Sequence, residues 1–335
     1  MEQNIKDIPS LQSVYKDYFP IGAAINARTI DTEKNLLKKH FNSLTAENEM
    51  KPENLQPKEG VFTFDVADKM IGFAKQNNMR FRGHTLVWHN QTPEWMFANS
   101  DGSVASREKI LARMENHIST VAGRYKGQIY SWDVVNEAIA DEEKVFLRQS
   151  KWLELVGEDF IDKAFEYAHK VDPSAALFYN DYNESFPGKR EKIYRLVKSL
   201  VEKGVPIHGV GLQAHWNIAE PSLDNIREAI ERYASLGMQI QITEMDVSAF
   251  SWEDKRTDLV KPTAQIAELQ AQRYEEFFKI FREYKEVITS VTFWGVSDSY
   301  TWLNDFPVRG RKNWPFVFDA NQHAKDSFWK IVDFK

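Results

Sequence analysis

Cysteine is absent from all 335 residues. That removes disulfide frameworks, thiol nucleophiles and cysteine-ligated metals together, and it suits a reducing compartment. No run approaches the roughly 18 consecutive apolar residues of a membrane span, so no membrane partner is expected. The opening Met-Glu-Gln-Asn-Ile-Lys-Asp-Ile-Pro has no basic segment leading into an apolar one. A secretory signal is therefore not expected, and a cytoplasmic location is. Basic blocks are missing as well. Lys and Arg number 43 against 49 Asp and Glu, a net charge of −6, which disfavours nucleic acid and favours a neutral or weakly acidic ligand. No Gly/Ser/Pro-rich linker, low-complexity tract or tandem repeat interrupts the chain, so one domain over 1–335 is expected; none of these features bears on oligomeric state.

Aromatic residues are in excess. Ten Trp, 12 Tyr and 22 Phe make up 13% of the chain. A large core accounts for most of the Phe. Trp beside polar side chains is different, because flat apolar rings rimmed with hydrogen-bonding groups suit sugars, whose C–H faces stack and whose hydroxyls need partners.

Short apolar, β-branched runs alternate with longer amphipathic ones. Strands are predicted at 19–25, 41–47, 80–88, 129–135, 175–180, 207–213, 239–244 and 289–295. Helical patterns fall at 32–40, 64–78, 107–125, 159–171, 189–203, 223–236, 263–284 and 326–333. Asp172-Pro173 and Gly204 punctuate two helix ends. Strand then helix, eight times over, predicts an α/β fold, a single (β/α)8 TIM barrel. The rival open doubly wound sheet lacks a Gly-x-Gly-x-x-Gly after its first strand. Residues 298–316 read as an elaborated loop after the eighth strand.

In such a barrel the active site lies at the C-terminal ends of the strands. Nearly every predicted strand runs into a polar or aromatic cluster there: Glu47, Asn48 and Lys51; His84, Trp88, His89 and Gln91; Asn136 and Glu137; Asn180, Asp181 and Tyr182; Gln213 and His215; Glu244 and Asp246; Trp294. Val134-Val135-Asn136-Glu137 and Ile240-Gln241-Ile242-Thr243-Glu244 each place a carboxyl where an apolar strand ends. Two facing carboxyls can cleave a glycosidic bond, one protonating the leaving oxygen and the other attacking the anomeric carbon or activating water. Either glutamate alone reads more readily as a strand-end ion pair; the two together, with their neighbours, do not. Asn136 is placed to reach a sugar 2-hydroxyl. His215 is expected to hydrogen-bond Glu244 and to be oriented by Asp246, while an acid at Glu137 needs a raised pKa. His84, His89 and His215 are candidate ligands of a barrel metallohydrolase, but His-x4-His across a strand end does not share one face and no His-x-His occurs. No metal is expected.

The segments Thr45-Ala46-Glu47-Asn48-Glu49-Met50-Lys51, Arg82-Gly83-His84-Thr85-Leu86-Val87-Trp88-His89, Trp132-Asp133-Val134-Val135-Asn136-Glu137, Ile242-Thr243-Glu244-Met245-Asp246 and Phe293-Trp294-Gly295-Val296-Ser297-Asp298 together resemble glycoside hydrolase family 10, mainly endo-1,4-β-xylanases. The motifs stand in the family's order across nearly the whole chain. The resemblance implies a (β/α)8 barrel, net retention, no cofactor and a xylan or xylo-oligosaccharide substrate. It implies Glu137 as acid/base and Glu244 as nucleophile, with His215, Asp246 and Asn136 in support. Lys51, His84, Trp88, Asn136, Gln213 and His215 match residues around the sugar at the cleavage point. Glu47, Asn48, Gln91, Trp294 and Trp302 match the glycone side, and Tyr182 an aglycone-side stacking residue. Asn183 and Arg256 match less closely, since loop lengths vary there. Two departures stand out: no cysteines, where many secreted members carry a loop disulfide, and no proline in 322–328. The chain resembles the family's intracellular type, acting on imported xylo-oligosaccharides. The alternatives are a β-1,4-glucanase on the same scaffold, a non-catalytic sugar-binding protein and a metal-dependent barrel hydrolase.

Overall fold

In a computed structural model, which describes residues 8–334, eight parallel strands close into a barrel. They are β1 (Ile21–Ile25), β2 (Ser43–Ala46), β3 (Arg80–Trp88), β4 (Ile129–Asn136), β5 (Ala176–Asp181), β6 (Gly209–Leu212), β8 (Gln239–Ser248) and β9 (Ile288–Phe293). β1 through β6 pair in sequence order, β6 pairs with β8, β8 with β9, and β9 returns to β1, so the sheet has no edge. The ninth strand, β7 (His215–Asn217), pairs with β8 beyond the end of β6. It was not anticipated as a separate element.

Each predicted strand and helix has its counterpart, with ends displaced by a few residues. β8 is the largest difference, continuing to Ser248 instead of stopping at Glu244. Its extension is held by β7, which supplies the hydrogen-bonding partner that β6 no longer offers. Residues 298–316 contain no helix or strand, as expected. Short helices at Leu11–Val14, Thr29–Thr32, Pro52–Leu55 and Lys151–Leu155 are too brief to leave a periodic signature.

Local chemistry explains where the long helices start and stop. Ser106, Ser222 and Thr263 each accept a hydrogen bond from the backbone N–H three residues on, capping Arg107–Arg124, Leu223–Ala234 and Ala264–Glu283. Pro187 occupies the first turn of Pro187–Glu202, where its missing N–H costs nothing. Gly204 follows that helix at φ +72°, the left-handed turn that ends helices cheaply in glycine.

The helices bury their apolar stripes against the outer faces of the strands. The barrel interior is different. Arg82, Asp133, Ser131 and Gln241 are fully buried there. Arg82 Nε donates to Gln241 Oε1 at 2.7 Å, and its two terminal nitrogens fork onto the two oxygens of Asp133. Burial on this scale is tolerated only because the two charges are paired in direct contact. Packing beside this pair is close. Gly83 stands in register with Trp132, and a Cβ on Gly83 would come within 2.2 Å of the indole. Gly83→Ala is expected to destabilise the fold on the order of 1–3 kcal/mol; an unchanged melting temperature in thermal denaturation would refute that contact.

Candidate active site

The polar residues collect at one rim because the strands stop there in register. Trp88 of β3 pairs with Asn136 of β4, Asn136 with Asn180 of β5, and His215 with Asp246. A groove of about 690 Å³ opens at this rim. Lys51, His84, Asn136, Glu137, Gln213, His215 and Glu244 line it, together with Trp88, Trp294, Trp302, Tyr182 and Asn183.

Glu137 follows β4 directly. Its backbone is left-handed, with φ +58°, a conformation uncommon for residues with a side chain. Its N–H donates to the main-chain oxygen of Asn180 at 2.9 Å. Gln213 Nε2 donates to its Oε1 at 3.0 Å and Trp88 Nε1 to its Oε2 at 2.8 Å. Burial pushes its pKa up, and the negative charges of Asp181 and Glu244 add to the rise; the Gln213 and Trp88 donors offset part of it.

Glu244 is in the opposite situation. Asn180 Nδ2 donates to its Oε1 at 2.9 Å, His215 Nε2 lies 2.9 Å from its Oε2, and His84 Nε2 lies 3.8 Å away. Burial alone would raise its pKa, but the His84 and His215 rings outweigh burial and hold it below the usual carboxylate range. His215 is in turn held by Asp246, with Nδ1 at 3.0 Å from both carboxylate oxygens. Burial would lower the His215 pKa; Asp246 and Glu244 together raise it to about 10. Trp302 Nε1 donates to Asp246 Oδ2 at 2.8 Å, so the aromatic cover and the histidine share one anchor.

Asn136 joins the two halves. Its Oδ1 accepts from Asn180 Nδ2 at 2.9 Å and from Gln213 Nε2 at 3.2 Å. The Asn180 amide must turn its nitrogen toward the Glu244 carboxylate, and that orientation decides the Asn136 amide beside it. Lys51 is buried, donates to Asn48 Oδ1 at 2.9 Å and sits 4.9 Å from the Trp88 ring centroid. Glu47 lies behind it, accepting from Asn26 Nδ2 and the Tyr300 hydroxyl, each at 3.1 Å.

Five residues of the expected set lie off the walls of this groove: Asp246 and Glu47, described above, and Gln91, Asn48 and Arg256. Gln91 is partly exposed in a left-handed turn, and its carbonyl accepts from Glu53 N–H at 2.8 Å. Asn48 reaches the site through Lys51. Arg256 is exposed and paired with Asp254 at 2.7 Å. Conversely, the groove is lined by Asn90, Phe186, Trp252 and Phe306, which lie on loops and carry no motif. Asn180 had stood out only as one of several strand-end polar residues, and Arg82 and Asp133 only as motif letters.

A metal reading can be tested on the donors. Ligand atoms of His84, Asp133 and Glu244 lie within 4.8 Å of one another. Both Asp133 oxygens already face Arg82, and one also faces His84 Nδ1 at 2.7 Å. Those lone pairs are committed, so the trio lines Arg82 up with Glu244 through Asp133 and His84 and does not form a cage. His89 stands away from the groove wall, and burial, with Arg148 nearby, lowers its pKa to about 4.

The family model for glycosyl hydrolase family 10 matches residues 10–334. Endo-1,4-beta-xylanase B of Paenibacillus barcinonensis is 59% identical over 326 residues, covering 97% of this chain and 98% of that one. The endo-1,4-beta-xylanase of Geobacillus stearothermophilus is 57% identical over 326 residues, with the same coverage. The crystal structure of xylanase XynB from Paenibacillus barcinonensis, complexed with a conduramine derivative, matches with a TM-score of 0.96 over 97% of this chain and 98% of that one, at 59% identity.

The charge assignments at this rim are directly measurable. The His215 ring is expected to remain protonated at about pH 8 in 15N NMR, and Asp246→Asn to bring its titration down. A His215 ring titrating near the ordinary value of 6.5 in the unaltered protein would contradict the geometry described above.

Proposed function

The chain belongs to glycosyl hydrolase family 10, and from that premise we propose how the groove divides its labour. The reaction is hydrolysis of β-1,4-xylosidic bonds in xylan or xylo-oligosaccharides, a double displacement with net retention that uses two glutamates. We assign Glu244 as nucleophile and Glu137 as acid/base. One observation carries the assignment: the two carboxyls share a single rim, yet their surroundings push their acidities in opposite directions. Such a split marks acid and base partners.

In the first step a Glu244 oxygen bonds to the anomeric carbon while the glycosidic C–O bond breaks. The proton of Glu137 goes to the departing oxygen, leaving a covalent xylosyl ester and a Glu137 carboxylate. In the second step that carboxylate takes a proton from water. The water oxygen bonds to the anomeric carbon, Glu244 leaves, and Glu137 is protonated again. His215 and His84, beside Glu244, favour the ionised nucleophile. Asn136, whose amide oxygen is already occupied, has its nitrogen available for the 2-hydroxyl. Trp294 and Trp302 cover the glycone side and Tyr182 the aglycone side. Glu47, Asn48, Lys51 and Gln91 belong to the glycone half, with Asn183 and Arg256 farther along the other.

We further propose a one-domain enzyme working in the cytoplasm on imported xylo-oligosaccharides. The lack of cysteine supports this reading, because such a chain asks nothing of an oxidising compartment. Activity found in the culture medium of the producing cells, and not in their lysate, would overturn it.

The roles separate in mutants. Glu244→Ala is expected to abolish turnover of every xyloside, with losses of several orders of magnitude. Glu137→Ala should still release dinitrophenol rapidly from 2,4-dinitrophenyl xylobioside, whose leaving group needs no proton, and then stall. Loss of that burst in Glu137→Ala, or a burst in Glu244→Ala, would reverse the assignment. Proton NMR of the earliest products should show β-xylose ends, and initial α ends would refute retention. Hydrolysis of cellotetraose as fast as xylotetraose would move the substrate to β-1,4-glucans.

A further inference from the structure

Behind the acid/base glutamate sits a residue with no assigned part in the reaction. Arg148 lies on the loop that follows β4, and its N–H donates to the Ala138 carbonyl at 2.8 Å. Its guanidinium then spreads in two directions. Nε donates to the main-chain oxygen of Glu137 at 2.9 Å. Nη2 donates to the Tyr182 hydroxyl at 2.8 Å, and lies 3.2 Å from Asp141 Oδ2 and 3.4 Å from the Ile139 carbonyl.

The unit is closed by its neighbours. The Tyr182 hydroxyl donates to Asp141. Lys189 bridges Asp141 at 2.8 Å and Asp181 at 3.0 Å, and its ammonium sits 3.6 Å from the Tyr182 ring centroid. Two cations thus face two carboxylates around one aromatic ring. The Glu137 carboxyl takes no part, since its oxygens face Gln213 and Trp88. Arg148 therefore acts on the direction of Glu137. That direction needs holding, because a left-handed non-glycine backbone persists only where surrounding contacts over-determine it. A guanidinium is the side chain that can grip a carbonyl and a phenol simultaneously from a planar fork.

We propose that Arg148 is a positioning residue for proton transfer, locking the main chain of Glu137 and the hydroxyl of Tyr182 into one rigid unit so that the acid meets the leaving oxygen aligned. The inference rests on Glu137 as acid/base. Misaligning a reacting group by about 1 Å can cost on the order of a hundredfold, and the whole acid contribution is roughly 10²- to 10⁴-fold.

The test compares leaving groups. With phenyl β-xylobioside, Arg148→Ala is expected to lower kcat/KM by roughly ten- to hundredfold. With 2,4-dinitrophenyl β-xylobioside, kcat/KM should change less than about threefold, while kcat and KM fall together because the second step still needs an aligned base. Arg148→Lys, which keeps the charge and loses the fork, should show the same pattern at smaller amplitude, and it decides the matter if Arg148→Ala does not fold. Equal fractional losses in kcat/KM on the two substrates, or full activity of Arg148→Lys on the phenyl substrate, would overturn the proposal. Glu137→Ala is the control. If it fails to discriminate the leaving groups, the acid/base reading itself falls; if it discriminates and the Arg148 variants do not, only the present inference does.

Discussion

A guanidinium and a carboxylate sealed inside a closed barrel set the terms for everything at the rim above them. Arg82 and Asp133 have no access to water, and a charge so placed is tolerable only with its partner in contact. Their contact holds the Asp133 pKa down against full burial, with help from His84. His84 then presents its other nitrogen to Glu244. The ionised state of Glu244 is thus prepared two residues away, in the barrel interior, before any ligand arrives. Removing one member would strand the other, typically at a cost of about 3–5 kcal/mol, so the setting of Glu244 and the stability of the barrel rest on one interaction.

The same low-polarity surroundings act differently on Glu137. It has hydrogen-bond donors but, among the described residues, no cation in hydrogen-bond contact with its carboxyl, and Asp181 and Glu244 both lie near enough to oppose its ionisation. Nearby Lys51 experiences both glutamates and Glu47, which counter the fall that burial imposes on its own pKa. Acid and nucleophile are distinguished by which positive groups the strands place beside each, not by residue type.

How much of this could be read in the linear chain depended on whether a feature was local. Alternating runs announced eight strands and their helices, and the strand ends marked Glu137, Glu244, His215 and Trp88 because a polar residue terminating an apolar run is visible letter by letter. The Arg82–Asp133 pair was invisible as a pair: its members stand 51 positions apart, and each alone looks like a surface charge inside a strand. β7 escaped notice because three residues form no pattern. Trp252 and Phe306 reach the groove from irregular loops whose course no periodicity predicts, and Arg148 earns its place only through carbonyls and a hydroxyl that fold toward it.

Asn180 touches both glutamates: its carbonyl accepts from the Glu137 N–H and its amide donates to the Glu244 carboxyl. Asn180 therefore ties the main chain at Glu137 to the side chain of Glu244, while Gln213 and Trp88 fix where the Glu137 carboxyl lies from there. A change at Asn180 would loosen both glutamates together, whereas substitutions at the loop residues Asn90, Phe186, Trp252 and Phe306 remodel the groove without touching either bond of this tie.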